Sequence, residues 1–421
     1  MLARKILALR GMHDILPPQT HCWSQLEARS RGLFSLYGYE EIRTPICEET
    51  SLFARSLGEA TDIVQKEMYS FTDPLGGEHI TLRPEGTAGC VRAANEHHLL
   101  RDGPKRYFYI GPMFRHERPQ KGRFRQFHQI GAEALGFSEI EAEAEGIFFL
   151  ARLWKSLEIG ERLGLQINTL GKKPERQRYR EILQRHFLAH EDLLDEEDRT
   201  RLTLNPLRLL DSKKPELAPV IAAAPSILEA LDEASLVRFD SLLSLLREEG
   251  ISFEVNPRLV RGLDYYNDTV FEWVSPELGA QSTVAAGGRY DALMAQLGGE
   301  NTPACGFAIG MERLLLLLED VVFPSFAPDV AMVHLGEAAR RFAFFAAERL
   351  RDAGIRVAMG YAQASMKAQM RRADACGASF AAIIGEEEER QRMVTLKSLA
   401  GDKTQVLLSL DEAITRIKGH A

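Results

Sequence analysis

The chain has 421 residues, 45% of them hydrophobic and 27% charged, enough for two or three globular domains with substantial cores. Its formal net charge of -8 speaks against wholesale coating of a nucleic acid but leaves room for a local basic patch. The five cysteines (Cys22, Cys47, Cys90, Cys305, Cys376) are scattered without a CxxC pair, which argues against a disulfide framework or a zinc site and fits a reducing cytoplasm. The N-terminal MLARKILALRGMHDILPP lacks a small-residue cleavage site, so no secretory signal is expected. No uncharged apolar run reaches membrane-spanning length, so no membrane association is expected.

In chain order, Trp23, Leu26, Leu33, Phe34 and Tyr37 have helical spacing, and Gly38 stops that helix. Glu41–Cys47 reads as a strand whose Pro45 points to an edge or an interface. Asp62–Phe71 reads as loop and strand, Gly76-Gly77 as a turn and His79–Pro84 as a strand. A helix then begins near Glu85-Gly-Thr87. A carboxylate and a hydroxyl at a helix entry can cap the helix or grip an ammonium group, and both readings stay open.

The segment from Arg101 to Arg125 stands out. It holds eight Lys or Arg against only Asp102 and Glu117. Arg106–Ile110 reads as a buried strand, broken at Gly111-Pro112. Met113–Arg118 resumes an extended run, Pro119–Gly122 is turn material, and Arg123–Glu133 alternates as a returning strand would. Alternation places Arg115 with Glu117, and Arg125, Phe127, Gln129 and Glu133 together on the return. Strand-borne arginines suit phosphate oxygens and a basic tip suits a nucleic-acid backbone. Taken alone, the segment is better read as a solvated basic hairpin.

Ser138–Leu157 is helical and Gln166–Leu170 a strand. From Gly171 to about Gly250 the chain turns helix-rich, with basic residues near its start, and reads as an inserted module. Strand signals return at Ile251–Val255 and Thr269–Val274. Between them, Arg258–Asn267 presents Arg261, a glycine, Asp264 and the pair Tyr265-Tyr266. Ala285–Asp291 reads as a glycine turn into Arg289-Tyr290. Ala304–Leu314 is a strand, a glycine turn and a helix carrying Glu312-Arg313, a candidate anion site. Pro324–Pro328 reads as a linker. Residues 329–421 alternate strands and helices as a compact α/β domain.

Together, the first helix and strand with Pro45, the arginine-bearing hairpin, and the strand entering a helix at Glu312-Arg313 resemble the three ordered motifs of class II aminoacyl-tRNA synthetases. Leu259-Val-Arg-Gly-Leu-Asp-Tyr-Tyr266, Ala286-Gly-Gly-Arg-Tyr290, Arg83-Pro-Glu-Gly-Thr87 and Gly111-Pro-Met-Phe-Arg-His-Glu-Arg118 are similar to signatures of the histidyl-tRNA synthetase family. The resemblance spans essentially the whole chain. It implies an α+β fold: an antiparallel sheet flanked by helices (1–170 and 251–323), a helical insertion (171–250) and a C-terminal α/β anticodon-binding domain (329–421), in a homodimer.

The resemblance also implies roles. Arg115 would hold the ATP α-phosphate and the histidine carboxylate, with Arg261 at the α-phosphate from the other side. Phe127 would stack on adenine, and Arg313 would lie beyond it near the γ-phosphate. Glu85 and Thr87 would hold the α-amino group, with Gln129 a further contact. Glu133 with Tyr266 would read the imidazole, lined by Tyr265 and Tyr290. Gln120 and Arg123 would meet the acceptor end of histidine tRNA. Substrates would be L-histidine, tRNA and ATP with its Mg2+, without a protein-only metal cage. Ala308 stands where the wider class usually has a glycine, and Phe124 stands at the hairpin tip where a tyrosine hydroxyl could serve.

Three other readings compete with this one. The regulatory paralogue of ATP phosphoribosyltransferase usually lacks the C-terminal domain and has degraded histidine signatures. A class II synthetase for another amino acid conflicts with the Arg261–Tyr266 run. A basic-hairpin RNA-binding module leaves Glu85, Tyr266 and Arg313 unexplained.

Overall fold

A computed structural model describes residues 5–59, 61–212, 214–321, 327–360, 364–399 and 404–419. The chain divides into two compact units, 1–323 and 324–421.

The larger unit runs α1 (Gln19–Leu36), β1 (Glu40–Glu41), β2 (Cys47–Glu49), α2 (Thr50–Leu57), β3 (Tyr69–Thr72), β4 (His79–Leu82), α3 (Thr87–Glu96), β5 (Lys105–Phe114), β6 (Gln126–Leu135), α4 (Ile140–Ser156) and β7 (Gly164–Thr169). A helical stretch follows, with α5 (Lys173–Leu188), α6 (Glu196–Leu204), α7 (Ala218–Ala222) and α8 (Glu233–Glu248). The chain then returns through β8 (Phe253–Val255), β9 (Asn267–Val274), β10 (Thr283–Arg289), α9 (Leu293–Gln296), β11 (Ala304–Gly310) and α10 (Met311–Leu317).

The main sheet has eight strands in the order β1-β5-β6-β11-β10-β9-β7-β8. Its middle is antiparallel throughout, and only the outer pairs β1–β5 and β7–β8 are parallel. One face is sealed by α1, α4 and α8. Phe34 of α1 stacks on Phe108 at 4.4 Å and on Phe149 of α4 at 4.3 Å, and Leu242 and Leu246 of α8 join the same core. The last helix of the 171–250 stretch thus packs into the body of the sheet. The opposite face carries α3 and the rest of that stretch, around a second core that includes Tyr109, Tyr265 and Tyr290.

Several local expectations give way. Gly111-Pro112 does not break the first arm, because β5 runs unbroken to Phe114. Pro112 faces His128 across the ladder, where the His128 N–H turns instead to Glu312, so no strand bond needs a donor from proline. Beyond Phe114 the extended run ends, and residues 115–119 are irregular. The return strand starts at Gln126, so Arg125 precedes it. Its N–H binds Gly11 O at 2.7 Å and its Nε binds Glu117 O at 3.2 Å, away from the face of Phe127 and Gln129. Glu41–Cys47 is not one strand: β1 ends at Glu41, and the chain crosses to a small sheet ordered β2-β4-β3. Ala285–Asp291 is not a glycine turn, since Gly287 and Gly288 lie inside the central strand β10. A Cβ on Gly287 would strike Gly306 O, and one on Gly288 would strike Thr269 O, so the glycines permit close strand packing.

The smaller unit has β12 (Val330–His334), α11 (Glu337–Asp352), β13 (Val357–Met359), α12 (Met366–Ala375), β14 (Phe380–Ile384), α13 (Glu386–Gln391), β15 (Met393–Ser398), β16 (Gln405–Ser409) and α14 (Leu410–Lys418). Its five-stranded sheet, β13-β12-β14-β15-β16, is parallel on one side of β14 and antiparallel on the other. Buried residues of α11 and α14 pack on one face and those of α12 on the other, as alternate strand residues require. Residues 324–326 of the expected linker, and Gln363 at the expected start of α12, lie outside the described residues.

Candidate active site

A cleft on the open face of the main sheet is lined by Glu85, Thr87, Arg115, Phe127, Gln129, Glu133, Arg261, Tyr265, Tyr266, Tyr290 and Arg313, along with Arg123. The antiparallel order explains the convergence. β6 lies beside both β5 and β11, so the hairpin arms and the α10 entry meet, and β10 and the segment before β9 close the other wall. Gln120 alone among the expected residues lies off this lining, exposed at the hairpin tip.

One end is built around Glu133. Its Oε1 accepts hydrogen bonds from Thr87 Oγ1 at 2.7 Å and Tyr109 OH at 3.0 Å, and its Oε2 accepts one from Tyr290 OH. Glu133 is 1% exposed, and burial pushes its carboxyl up to about 8, against the pull of the hydroxyl donors. Tyr266 is not among the hydrogen-bond partners of Glu133; its ring lies 5.7 Å from the Arg261 guanidinium and 4.6 Å from the Tyr265 ring. Glu85, also buried, accepts from the N–H groups of Thr87 at 2.6 Å and Ala88 at 2.8 Å, so it caps α3 while facing the cleft. Burial raises its pKa too.

Tyr109 is one residue that sequence reasoning missed. It lies in the aromatic run of β5, where it looks like core. Three features make room for it and its partner: a Cβ on Gly86 or Gly131 would overlap the Tyr109 ring, and a Cβ on Gly306 would overlap Glu133 Oε2. Gly131 stands opposite Tyr109 in the β5–β6 register. That pairing is the signal that could have found it. A second missed element is Arg289, which is 1% exposed. Its guanidinium grips Glu143 at 2.5 Å, Asp291 at 2.9 Å and Phe137 O at 3.1 Å, fixing the strand end that presents Tyr290.

The other end is cationic. Arg115 lies over the Phe127 ring at 5.2 Å, and its Nε donates to Pro84 O at 2.9 Å. Arg123 turns inward from the tip and pairs with Glu117, leaving Arg118, Gln120 and Lys121 as its exposed residues. Arg261 pairs with Glu272, which also accepts from Thr283 Oγ1 at 2.7 Å. Arg313 Nη1 donates to Thr283 O at 2.8 Å. Burial, then the nearby Arg123 and Arg115, pull Arg313 down to about 10, and burial lowers Arg115 and Arg123 as well. Gln129 Oε1 and Arg261 Nε are buried without a hydrogen-bond partner among the described residues. Glu312 is committed to structure, since both its oxygens accept the His128 N–H.

An antiparallel sheet whose open face sets clustered arginines beside a buried carboxylate pocket, with the third motif entering a helix, defines the catalytic fold of a class II aminoacyl-tRNA synthetase. The histidyl-tRNA synthetase family model matches residues 11–314, and an anticodon-binding domain model matches residues 329–420. The histidine–tRNA ligase of Nitrosomonas eutropha is 54% identical over 96% of this chain and 97% of its own. That of Laribacter hongkongensis is 50% identical over the full length of both. The apo Staphylococcus aureus histidyl-tRNA synthetase superposes with a TM-score of 0.83 at 34% identity, over 98% of this chain and 100% of that one. The chain belongs to the histidyl-tRNA synthetase family.

Proposed function

We infer that the cleft activates histidine with ATP and then passes it to tRNA. The protein ligates L-histidine to histidine tRNA through a histidyl-adenylate, releasing AMP and pyrophosphate. The observation that carries the assignment of residues is the charge asymmetry of the cleft: half-buried arginines crowd one end, and a carboxylate held only by hydroxyls occupies the other.

In the first step a carboxylate oxygen of histidine forms a bond to the α-phosphorus, and the bond to the bridging oxygen breaks as pyrophosphate leaves. Two anions must approach, so fixed cations aimed at the reacting phosphorus supply most of the rate. Arg115 and Arg261 do this from opposite walls, Arg261 being oriented by Glu272. Phe127 carries adenine, with Arg313 on its far side toward the γ-phosphate. Mg2+ arrives on the phosphates of ATP as part of that substrate. Glu85 takes the α-ammonium group with Thr87 beside it, and Gln129 offers its unpartnered oxygen to the same group. Glu133, with Tyr290 and Tyr109, reads the imidazole nitrogens, while Tyr265 and Tyr266 wall the ring. An analogue lacking those nitrogens would leave buried polar groups unpaired. Gln120, with Arg118 and Lys121, faces outward to the tRNA acceptor end, and Arg123 joins tip to cleft.

Other finer points belong to the same reading. β1 is an edge strand, and exposed Leu36 and Ile46 flank it, which supports a homodimer through this face. The scattered free cysteines support a cytoplasmic location. No described helix is long and apolar enough to cross a membrane.

The test is histidine-dependent exchange of pyrophosphate into ATP, with and without Arg261→Ala. Activity in the intact protein and its near loss in the variant are expected. No exchange by the intact protein would refute the activation reading, and full exchange by the variant would refute the role of Arg261.

A further inference from the structure

Residues 256–266, between β8 and β9, contain neither helix nor strand, yet they carry Arg261, Tyr265 and Tyr266 into the cleft. A segment without a strand ladder of its own must be held by its neighbours. Much of the hold comes from the helical stretch between β7 and β8. Asp264 Oδ1 accepts hydrogen bonds from Arg208 Nη2 at 3.0 Å and from Asn205 Nδ2 at 3.1 Å. Arg176 of α5 donates to the Tyr266 carbonyl, and Arg258 Nε donates to Ile221 O at 2.9 Å. Leu259 is buried in one cluster with Tyr179, Leu209 and Leu217.

The other side of Asp264 is equally confined. Its N–H reaches Leu57 O at 3.3 Å, and a Cβ on Gly58 would collide with its carboxylate. The Arg208 side chain is 13% exposed and that of Asp264 33%, so the pair is partly shielded from water and salt. Asp264 faces the cavity behind the segment and does not line the cleft, whereas Arg261 lines both. Asp264 therefore touches none of the proposed reacting groups and can act only through the residues beside it.

We propose that Asp264, gripped by Arg208 and Asn205, is a positioning residue: it is the latch through which the helical stretch sets where Arg261 meets the α-phosphate. The first chemical step then depends on the helical stretch even without tRNA. The latch rests on the role of Arg261 given above.

The experiment is histidine-dependent ATP–pyrophosphate exchange at saturating histidine by the full chain, with Asp264→Ala alone and combined with Arg261→Ala. Asp264→Ala is expected to lower kcat about tenfold or more, because small displacements of a catalytic group cost one to two orders of magnitude in rate. On the Arg261→Ala background it should cost less than about twofold, since the group it positions is gone. A merely structural role would give losses that multiply. The proposal is overturned by a kcat within about twofold of the parent in Asp264→Ala, or by multiplying losses in the double variant. Should Asp264→Ala not fold, Arg208→Ala makes the same measurement from the helical side, and a parent-like kcat there overturns the proposal equally. Failure of the Arg261 reading has a different signature: full exchange by Arg261→Ala alone.

Discussion

The two ends of the cleft solve opposite problems with the same burial. At the end proposed for the phosphates, Arg115, Arg123 and Arg313 are crowded enough that burial and mutual repulsion pull Arg313 down to about 10. At the end proposed for histidine, burial pushes Glu133 up to about 8, with hydroxyls rather than a cation around it. One end is short of negative charge and the other holds a carboxylate that prefers its proton. In the proposed reading each is relieved by a different part of the substrates: polyphosphate at one, a ring nitrogen and an ammonium group at the other. The proposed roles make specificity and rate separable within one pocket, with Arg115 at the junction between Phe127 and Glu85.

The strongest way to break that division is at the junction. Arg115→Ala should lower exchange by a hundredfold or more, roughly 3 kcal/mol, in kcat and in the apparent affinity for both substrates. An effect confined to ATP would place Arg115 wholly at the phosphate end. Glu133→Gln should raise the histidine KM by about 1–3 kcal/mol equivalent while sparing the ATP KM. Steady-state exchange kinetics distinguish the two.

Glu133 also predicts a pH dependence. If Glu133 reads the imidazole as proposed, the two share one proton when the ring is neutral and the carboxyl protonated, between the free imidazole value near 6.5 and the Glu133 value of about 8. Below that window a second proton must be shed, and above it the shared proton is lost, so kcat/KM for histidine should fall on both sides. Glu133→Gln should abolish the upper limb. For the free protein the sign is fixed by the raised folded pKa. The unfolded chain loses its proton first, so this group makes stability fall as pH rises from about 4.5 to about 8. Thermal melts of Glu133→Gln should lack that component.

Smaller effects probe the same contrast. Tyr109→Phe removes one donor from Glu133 and should cost about 1 kcal/mol in histidine binding, with ATP binding unchanged. An unchanged histidine KM would make Tyr109 a packing residue only. Gln120→Ala should slow transfer to tRNA a few-fold, the loss of a contact worth about 0.5–1.5 kcal/mol, while leaving exchange intact. Equal losses in both assays would contradict an outward-facing role for the tip.

Much of the site is legible in the amino-acid sequence. Phe127, Gln129 and Glu133 follow from the alternation of β6, whereas Arg115 stands just beyond the end of β5 and is marked only by the resemblance to the family. The runs ending in Tyr266 and Tyr290 mark the opposite wall. What escapes depends on which strand lies beside which. Tyr109 reads as a core aromatic until Gly131 is seen across from it, and Gly287-Gly288 reads as a turn until β9 and β11 are seen to flank it. Pro112 looks like a strand breaker until its N-side is found to need no ladder bond.

Sequence alone suffices for most of the elements and for the excess of arginine in one hairpin. These are local or short-range properties: periodicity, turn chemistry and charge. Only the folded chain settles which hydroxyls surround Glu133, that Arg123 turns inward to Glu117, and that Asp264 is held by Arg208 from a distant helical stretch. Those outcomes depend on strand register and on burial, which set both the partners and the cost of charge, and neither is encoded within a single segment.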